Sequence, residues 1–380
     1  MQPKARQLHY LAQTLLFAVP AISIGAQLST WVSFAFGSGK DHPDFLAYYD
    51  AGFLLRSGRI SDFYHQIHPP WFGFIHPTYE ALLFVPLSFL SPVKAYVAWI
   101  VVGVTIIGVI LRILWREFDH LTSISPILPV ALTLAFFPIS YALAQGQDSI
   151  LLLLLMVLSL IQVKSGNQYC AGLLLGLGIF RFQILLPMAA MFLIWKSWRF
   201  LAGICTSAAC ALCCSLALTG ISGQIEYVKL LRLLANPANQ FVQQMPNIRG
   251  VLAAFGVVSQ PTILIVSAVC FILLALLGRN PPPSERFFLA MAAACLLSFH
   301  GYLHDFALLL LPFLILCDRF VERADYMGLA LLGMIIALPI ITIMIGSIMA
   351  VWICSLVPIL LIFLITVQGS ALPMRTQHAG

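Results

Sequence analysis

The chain has 380 residues, 61% of them hydrophobic and only 9% charged, with a net charge of +6. A soluble domain carries about 25% charged residues, so this composition excludes a soluble globular protein and a disordered chain. The 20 Lys and Arg are spread thinly, without the basic stripe that a nucleic-acid binder needs.

At about 20 residues per crossing, the chain has room for about twelve membrane helices and no large soluble domain. A single all-α polytopic membrane domain over residues 1–380 is therefore expected. Lys4 and Arg6 precede an apolar run over residues 11–36, longer than the core of a secretory signal, so it reads as the first span. A polar segment over 37–92 follows. Its stretch from Asp44 to Ser57, with Gly58 just beyond, reads as a helix lying in the membrane interface. Tyr79–Leu90 is apolar but too short to cross, and Pro77 and Pro92 flank it, so it re-enters the membrane or lies at its surface.

From there apolar runs recur at 93–111, 125–143, 149–163, 168–180, 184–195, 200–219 and 262–278, then at 286–299, 306–317, 326–346 and 348–367. With both termini in the cytoplasm, the inside carries twelve Lys and Arg against eight outside, the direction the positive-inside rule requires. The unusual polar residues gather on the outer side, in the segment 37–92, the turns 144–148 and 180–183, the long loop 221–261 and the HGYLHD turn at 300–305. The runs 168–180 and 184–195 are each about 20 Å long as helices, short of the roughly 30 Å hydrocarbon core. Their connecting turn, with Arg181 and Gln183, is expected at the floor of an outward-facing cavity. The short pair 286–299 and 306–317 places His300, His304 and Asp305 in the same way. The nine cysteines lie in or beside apolar runs and read as small packing residues.

Each polar candidate has a structural alternative. Asp44 is either the N-cap of the interfacial helix or a general base, and Asp41 lies close enough in sequence to share its site. Arg181 suits a phosphate oxygen, or it pairs internally with Asp148 or Asp305. Gln145, Gln147 and Gln183 either contact a polar substrate or satisfy buried backbone. His300 and His304 serve a phosphate, a hydroxyl, a metal completed by Asp305, or structure alone. Asp305 also suits a helix cap. Arg249, with Asn247 beside it, lies in a loop long enough to be functional.

Six segments taken together resemble glycosyltransferase family 87: DFLAYYDAGFLLRSG, PTYEALLFVPLSFL, ISYALAQGQDSILLLLLMVLSL, YCAGLLLGLGIFRFQILLP, MPNIRG and HGYLHDFALLLLP. They follow the family's order over roughly residues 40–315. The resemblance implies a GT-C type bundle and an inverting transfer of a hexose, typically mannose. The implied donor is a polyprenyl-phosphate sugar, and the acceptor a glycolipid or glycan outside the cytoplasm. It gives Asp44 the role of base and matches Arg181 and His300 to the family's basic turn residue and late histidine. Apart from the resemblance, a departing phosphate needs cations, for which Arg181, Arg249 and protonated His300 are the candidates. Tyr48, Gln145, Gln147, Gln183, Asn247, His304 and Asp305 become candidate substrate contacts. Phe182 follows Arg181 here, where the family often has proline. No cofactor, metal or nucleic-acid partner is expected, and a bacterial inner membrane is the expected location. The alternatives are a transporter or flippase, which would show paired halves, and an assembly subunit without activity.

Overall fold

The computed structural model describes residues 16–28, 31, 43–64, 67–68, 71–235, 242–344 and 348–369. Asp41 lies outside the described residues, as do both ends of the expected first span. The helices are α1 (Leu16–Leu28), α2 (Pro43–Arg56), α3 (Pro92–Leu114), α4 (Asp119–Ile124), α5 (Leu128–Ala135), α6 (Phe137–Gln145), α7 (Ser149–Lys164) and α8 (Gln168–Gly176). They continue as α9 (Phe182–Ile194), α10 (Trp198–Ala235), α11 (Ile248–Ala254), α12 (Gln260–Leu277), α13 (Pro283–Leu297), α14 (Leu310–Glu322), α15 (Tyr326–Met344) and α16 (Leu356–Gly369). Two residue pairs, Ile67 with Phe72 and His68 with Trp71, make a small antiparallel ladder.

The count of about twelve crossings is not reached by length and apolarity alone. Among the described residues four helical stretches are long and apolar enough to cross a membrane: Pro92–Glu117, Gln168–Ile194, Trp198–Leu234 and Gln260–Leu277. A fifth is added if α5 and α6, bent by 61°, cross as one. The bend lies at Phe136 (φ −75°, ψ 91°), two residues before Pro138, whose missing N–H and ring clash with the carbonyl four residues back stop α5 from running on into α6. Shorter apolar helices, α1, α7 and parts of α15 and α16, complete the set.

The stretch Gln168–Ile194 does not run straight. In a straight helix Gly172 and Phe192 would stand about 30 Å apart. Both instead meet Phe200 at the start of α10. A Cβ on Gly172 would fall 1.8 Å from the Phe200 carbonyl oxygen, and the Phe192 and Phe200 rings stack at 4.1 Å. The chain therefore folds back through the 3-10 turn Leu177–Arg181, where Gly178 leaves helical geometry. This is the turn between two short helices that the sequence predicts.

α8 and α10 meet backbone to backbone. Gly172 and Gly176 on α8 face Gly203 and Ser207 on α10, and the Ser207 hydroxyl donates to the Leu173 carbonyl at 2.6 Å. Small residues four apart allow this approach, which in lipid supplies packing that the hydrophobic effect does not. Gly172→Leu is expected to lower the thermal unfolding temperature of the solubilised chain by at least the equivalent of about 1–3 kcal/mol of overpacking. Gly108→Leu, where a side chain meets nothing within 4 Å, should leave it unchanged. Equal stability of the two variants would show that the close approach is absent.

Two sets of contacts mark opposite ends of the bundle. At one end Lys164 pairs with Glu117 at 2.5 Å and Arg319 with Glu285 at 2.7 Å. There the Asp318 carboxylate accepts the backbone N–H groups of His120 and Leu121 at 3.0 and 2.8 Å. The Glu285–Arg319 pair joins the start of α13 to the end of α14, so these helices form a hairpin with its turn at 298–302. At the other end Tyr96 and Trp99, early in α3, donate to the carbonyls of Ala144 and Gly146 at 2.6 and 2.9 Å.

The segment 37–92 is only partly as expected. α2 forms, with Pro43 at its first position and Gly58 in the left-handed region beyond its end. The piece expected over Tyr79–Leu90 forms 3-10 turns, Thr78–Phe84 and Leu87–Phe89, because Pro86 interrupts it. A Cβ on Gly52 would lie 2.6 Å from the Phe84 carbonyl carbon, so α2 rests directly on that turn. The 221–261 segment is not one long loop. α10 breaks at Gly220 (φ 65°, ψ −175°), then resumes to Ala235, and Leu230 and Leu234 pack under α2 with Tyr64 and Phe84.

Candidate active site

The site grows from the turn between α6 and α7. Gly146 ends α6 with φ 66°, and a Cβ there would fall 2.7 Å from the Phe45 Cβ. Glycine thus supplies both the left-handed turn and the room for α2. The turn projects Gln147 and Asp148 into the protein, where both are buried.

Arg181 arrives from the α8–α9 turn and is 4% exposed. Its Nε donates to Asp148 Oδ1 at 2.6 Å and its Nη1 to Asp305 Oδ1 at 3.0 Å. Nη2 donates to Asp148 and Gln147 and, at 3.2 Å, to the Tyr48 hydroxyl. His304 Nε2 stands 3.4 Å from Nη1. Both internal partners named from the sequence are thus present. Asp305 also caps its own helical turn, because its Oδ2 accepts the Tyr302 N–H at 2.9 Å.

Asp44 is half-buried in the first turn of α2. Its Oδ2 accepts a 2.7 Å hydrogen bond from Gln147 Nε2. The other end of the same amide accepts from Arg181 and, at 3.1 Å, from Tyr48. The first acidic residue and the distant guanidinium are thereby joined through one side chain. Tyr48 stacks on Phe84 at 4.8 Å and stands 3.2 Å from His76 Nε2.

His76 and Glu80 complete the cluster, and sequence reasoning missed both as site residues. His76 Nδ1 lies 2.9 Å from Glu80 Oε2 and 3.8 Å from Asp148 Oδ2. Burial, helped by the nearby Arg181, outweighs Asp148 and pulls the imidazole down to about 4, leaving it neutral at pH 7. Burial first, and then Asp148, push the Glu80 carboxyl well above the usual range. The available signal was a histidine four residues before the one acid in an otherwise apolar segment.

The other candidates do not all converge on one place. His304, Asp305, Tyr48 and Gln147 join the Arg181 cluster. Arg249 and Asn247 gather instead at the turn after α13. Asn247 caps α11 by accepting the Gly250 N–H at 3.0 Å and donates to the Ser298 carbonyl at 2.8 Å. Arg249 donates to the Phe299 carbonyl at 2.6 Å. His300 lines a cavity with His76, Gln183, Phe180, Phe182 and Leu231, which sets polar groups against apolar walls. A second cavity, lined by Trp99, Gly103, Ile106, Leu143 and Ile150, reaches Gln147 from the side of α3. Gln145 is half-buried at the end of α6.

These residues lie at one end of the helices, about 30 Å along α3 from the Lys164–Glu117 pair. No curated protein and no solved structure matches the chain. The profile of Glycosyltransferase family 87 matches residues 74–299, a stretch that holds His76, Glu80, Gln147, Asp148 and Arg181 and begins after Asp44. The chain therefore belongs to glycosyltransferase family 87, as an integral-membrane glycosyltransferase.

Proposed function

We propose that this enzyme transfers a hexose, mannose in the first instance, from a polyprenyl-phosphate donor to a glycolipid or glycan outside the cytoplasm, with inversion. The observation that carries the reading is the Gln147 amide, which holds Asp44 at one end and Arg181 at the other. An alcohol is a poor nucleophile at neutral pH, so the acceptor hydroxyl needs a base, and Asp44 takes its proton. The acceptor oxygen then bonds to the anomeric carbon as the bond to the phosphate oxygen breaks, leaving polyprenyl phosphate.

Charge grows on that phosphate as it departs, and fixed cations and N–H donors stabilise it. Arg249 and Arg181 flank the 298–305 turn from two sides, and His300 lies within it. Phosphate recognition at Arg181 requires exchange with its present partners, Tyr48 and Gln147 first. The apolar walls beside His300 suit an isoprenoid tail. The active site faces the exterior of a bacterial inner membrane, with both termini inside.

The test supplies the purified full chain with radiolabelled polyprenyl-phosphate mannose and, separately, GDP-mannose, each with a glycolipid extract. Transfer is expected from the lipid-linked donor alone, and NMR of the product should show the opposite anomer. Transfer from the nucleotide sugar would overturn the donor. A retained anomer would overturn the single displacement. Passage of the lipid-linked sugar across proteoliposomes without a new glycosidic bond would make the chain a carrier.

A further inference from the structure

We propose that His76, Glu80 and Asp148 form a site for one first-row divalent transition-metal ion. The transfer chemistry proposed above needs no metal, so this site stands apart from the identity of donor and sugar. His76 Nδ1, one Glu80 carboxylate oxygen and one from Asp148 lie within 4.8 Å of one another, and all three residues are buried. Nδ1, both Glu80 oxygens and Asp148 Oδ2 are closed to solvent and have no hydrogen-bond partner outside this cluster, where only a shared proton could join them. Orphaned buried polar atoms are costly, and three of these, one from each residue, lie close enough to share a single partner.

The spacing suits a metal. With ligand atoms about 2.1 Å from a shared ion, the 2.9 and 3.8 Å separations correspond to angles of about 90° and 130° at the metal. One imidazole and two carboxylates are a mixed N,O donor set of the kind that Mn2+ and Zn2+ accept.

Charge balance points the same way. Among the described residues, Arg181 pairs with the buried carboxylates of Asp148 and Asp305, and Glu80, beside Asp148 and His76, adds a third buried carboxylate to that one guanidinium. A divalent ion brings that sum to neutrality. Asp148 would then divide its two oxygens, Oδ1 for Arg181 and Oδ2 for the metal. His76 keeps Nε2 for Tyr48, 3.2 Å away, in the manner of an outer contact that orients a ligand histidine. The ion would tie the Thr78–Phe84 turn, which carries α2, to the start of α7. The competing state has Glu80 holding a proton against Asp148, with no metal.

The experiment uses the full chain in lipid nanodiscs, stripped with a chelator and titrated with Mn2+ alone under electron paramagnetic resonance. One tightly bound Mn2+ per chain is expected, with a nitrogen coupling from a single imidazole in the pulsed spectrum and displacement by Zn2+. Glu80→Gln should weaken binding more than ten-fold, and His76→Gln should remove the nitrogen coupling. Asp62→Asn, at an exposed ion pair with Arg59, should change neither. Absence of stoichiometric binding below millimolar Mn2+ in the unmodified chain overturns the site, and that reading needs no variant to fold. Coupling that survives His76→Gln, or affinity that survives Glu80→Gln, overturns it equally.

Discussion

Asp44→Asn is expected to cut sugar transfer by roughly 10²–10⁴, the range that a lost general base accounts for. The substitution is close to isosteric. An asparagine oxygen still accepts from Gln147 Nε2, so the 2.7 Å contact and the seating of α2 persist. The acid in the first turn of α2 also favours that helix end, but this amounts to only about 0.3–1 kcal/mol of stability. Because proton removal belongs to the transition state, kcat and kcat/KM should fall together while KM for the donor holds. Steady-state kinetics with the lipid-linked donor, beside a thermal melt of each protein, makes the check. Activity within ten-fold of the unmodified enzyme, at equal stability, would remove Asp44 from the base role.

Arg181→Met should have the largest effect on stability, about 3–5 kcal/mol, because it strips a buried pair of one partner. Two carboxylates, Asp148 and Asp305, lose their guanidinium at once, in surroundings where water does not reach them. Adding Asp148→Asn in the Arg181→Met background should recover part of the loss, since the stranded charge is then gone. Arg181→Lys should rescue little. A lysine ammonium is a single point, whereas the guanidinium reaches Asp148, Asp305, Tyr48 and Gln147 from separate nitrogens. Chemical unfolding in detergent of the single and double variants measures this coupling. An Arg181→Met protein within 1 kcal/mol of the parent would mean that the two carboxylates do not depend on it.

Where the sequence sufficed, local chemistry decided the geometry. Gly58 stops α2, Gly146 turns the chain after α6, and Gly178 opens the fold-back before Arg181. The hairpin around 298–302 follows from two apolar runs too short to cross and a polar turn between them. Convergence of Asp44 on Arg181 was also foreseen, though not its passage through Gln147.

What escaped depends on contacts between distant segments. Glu80 points inward because Gly52 lets α2 press on the backbone of Phe84, and nothing within residues 77–90 encodes that pressure. The helix beyond Gly220 reads as loop in the sequence because Gln224, Glu226 and Lys229 dilute its apolar pattern, yet Leu230 and Leu234 bury themselves against the α2 layer. The number of crossings stayed open for a related reason. Proline and glycine break several apolar stretches, so run length in the sequence and helix length in the fold part company.

The side chain of Gln147 has a head and a tail, and its neighbours dictate which way round it sits. Only its NH2 group can satisfy a carboxylate, and only its oxygen can satisfy a guanidinium, so the amide is held in one sense between Asp44 and Arg181. A ligand that draws Arg181 away leaves the Tyr48 hydroxyl, 3.1 Å off, as donor to the oxygen end, so the NH2 end stays turned toward Asp44. The orientation of this one amide therefore keeps the carboxylate at one end of the pocket in place while the guanidinium at the other exchanges partners. A glutamate in place of Gln147 would undo this by meeting Asp44 with a second negative charge.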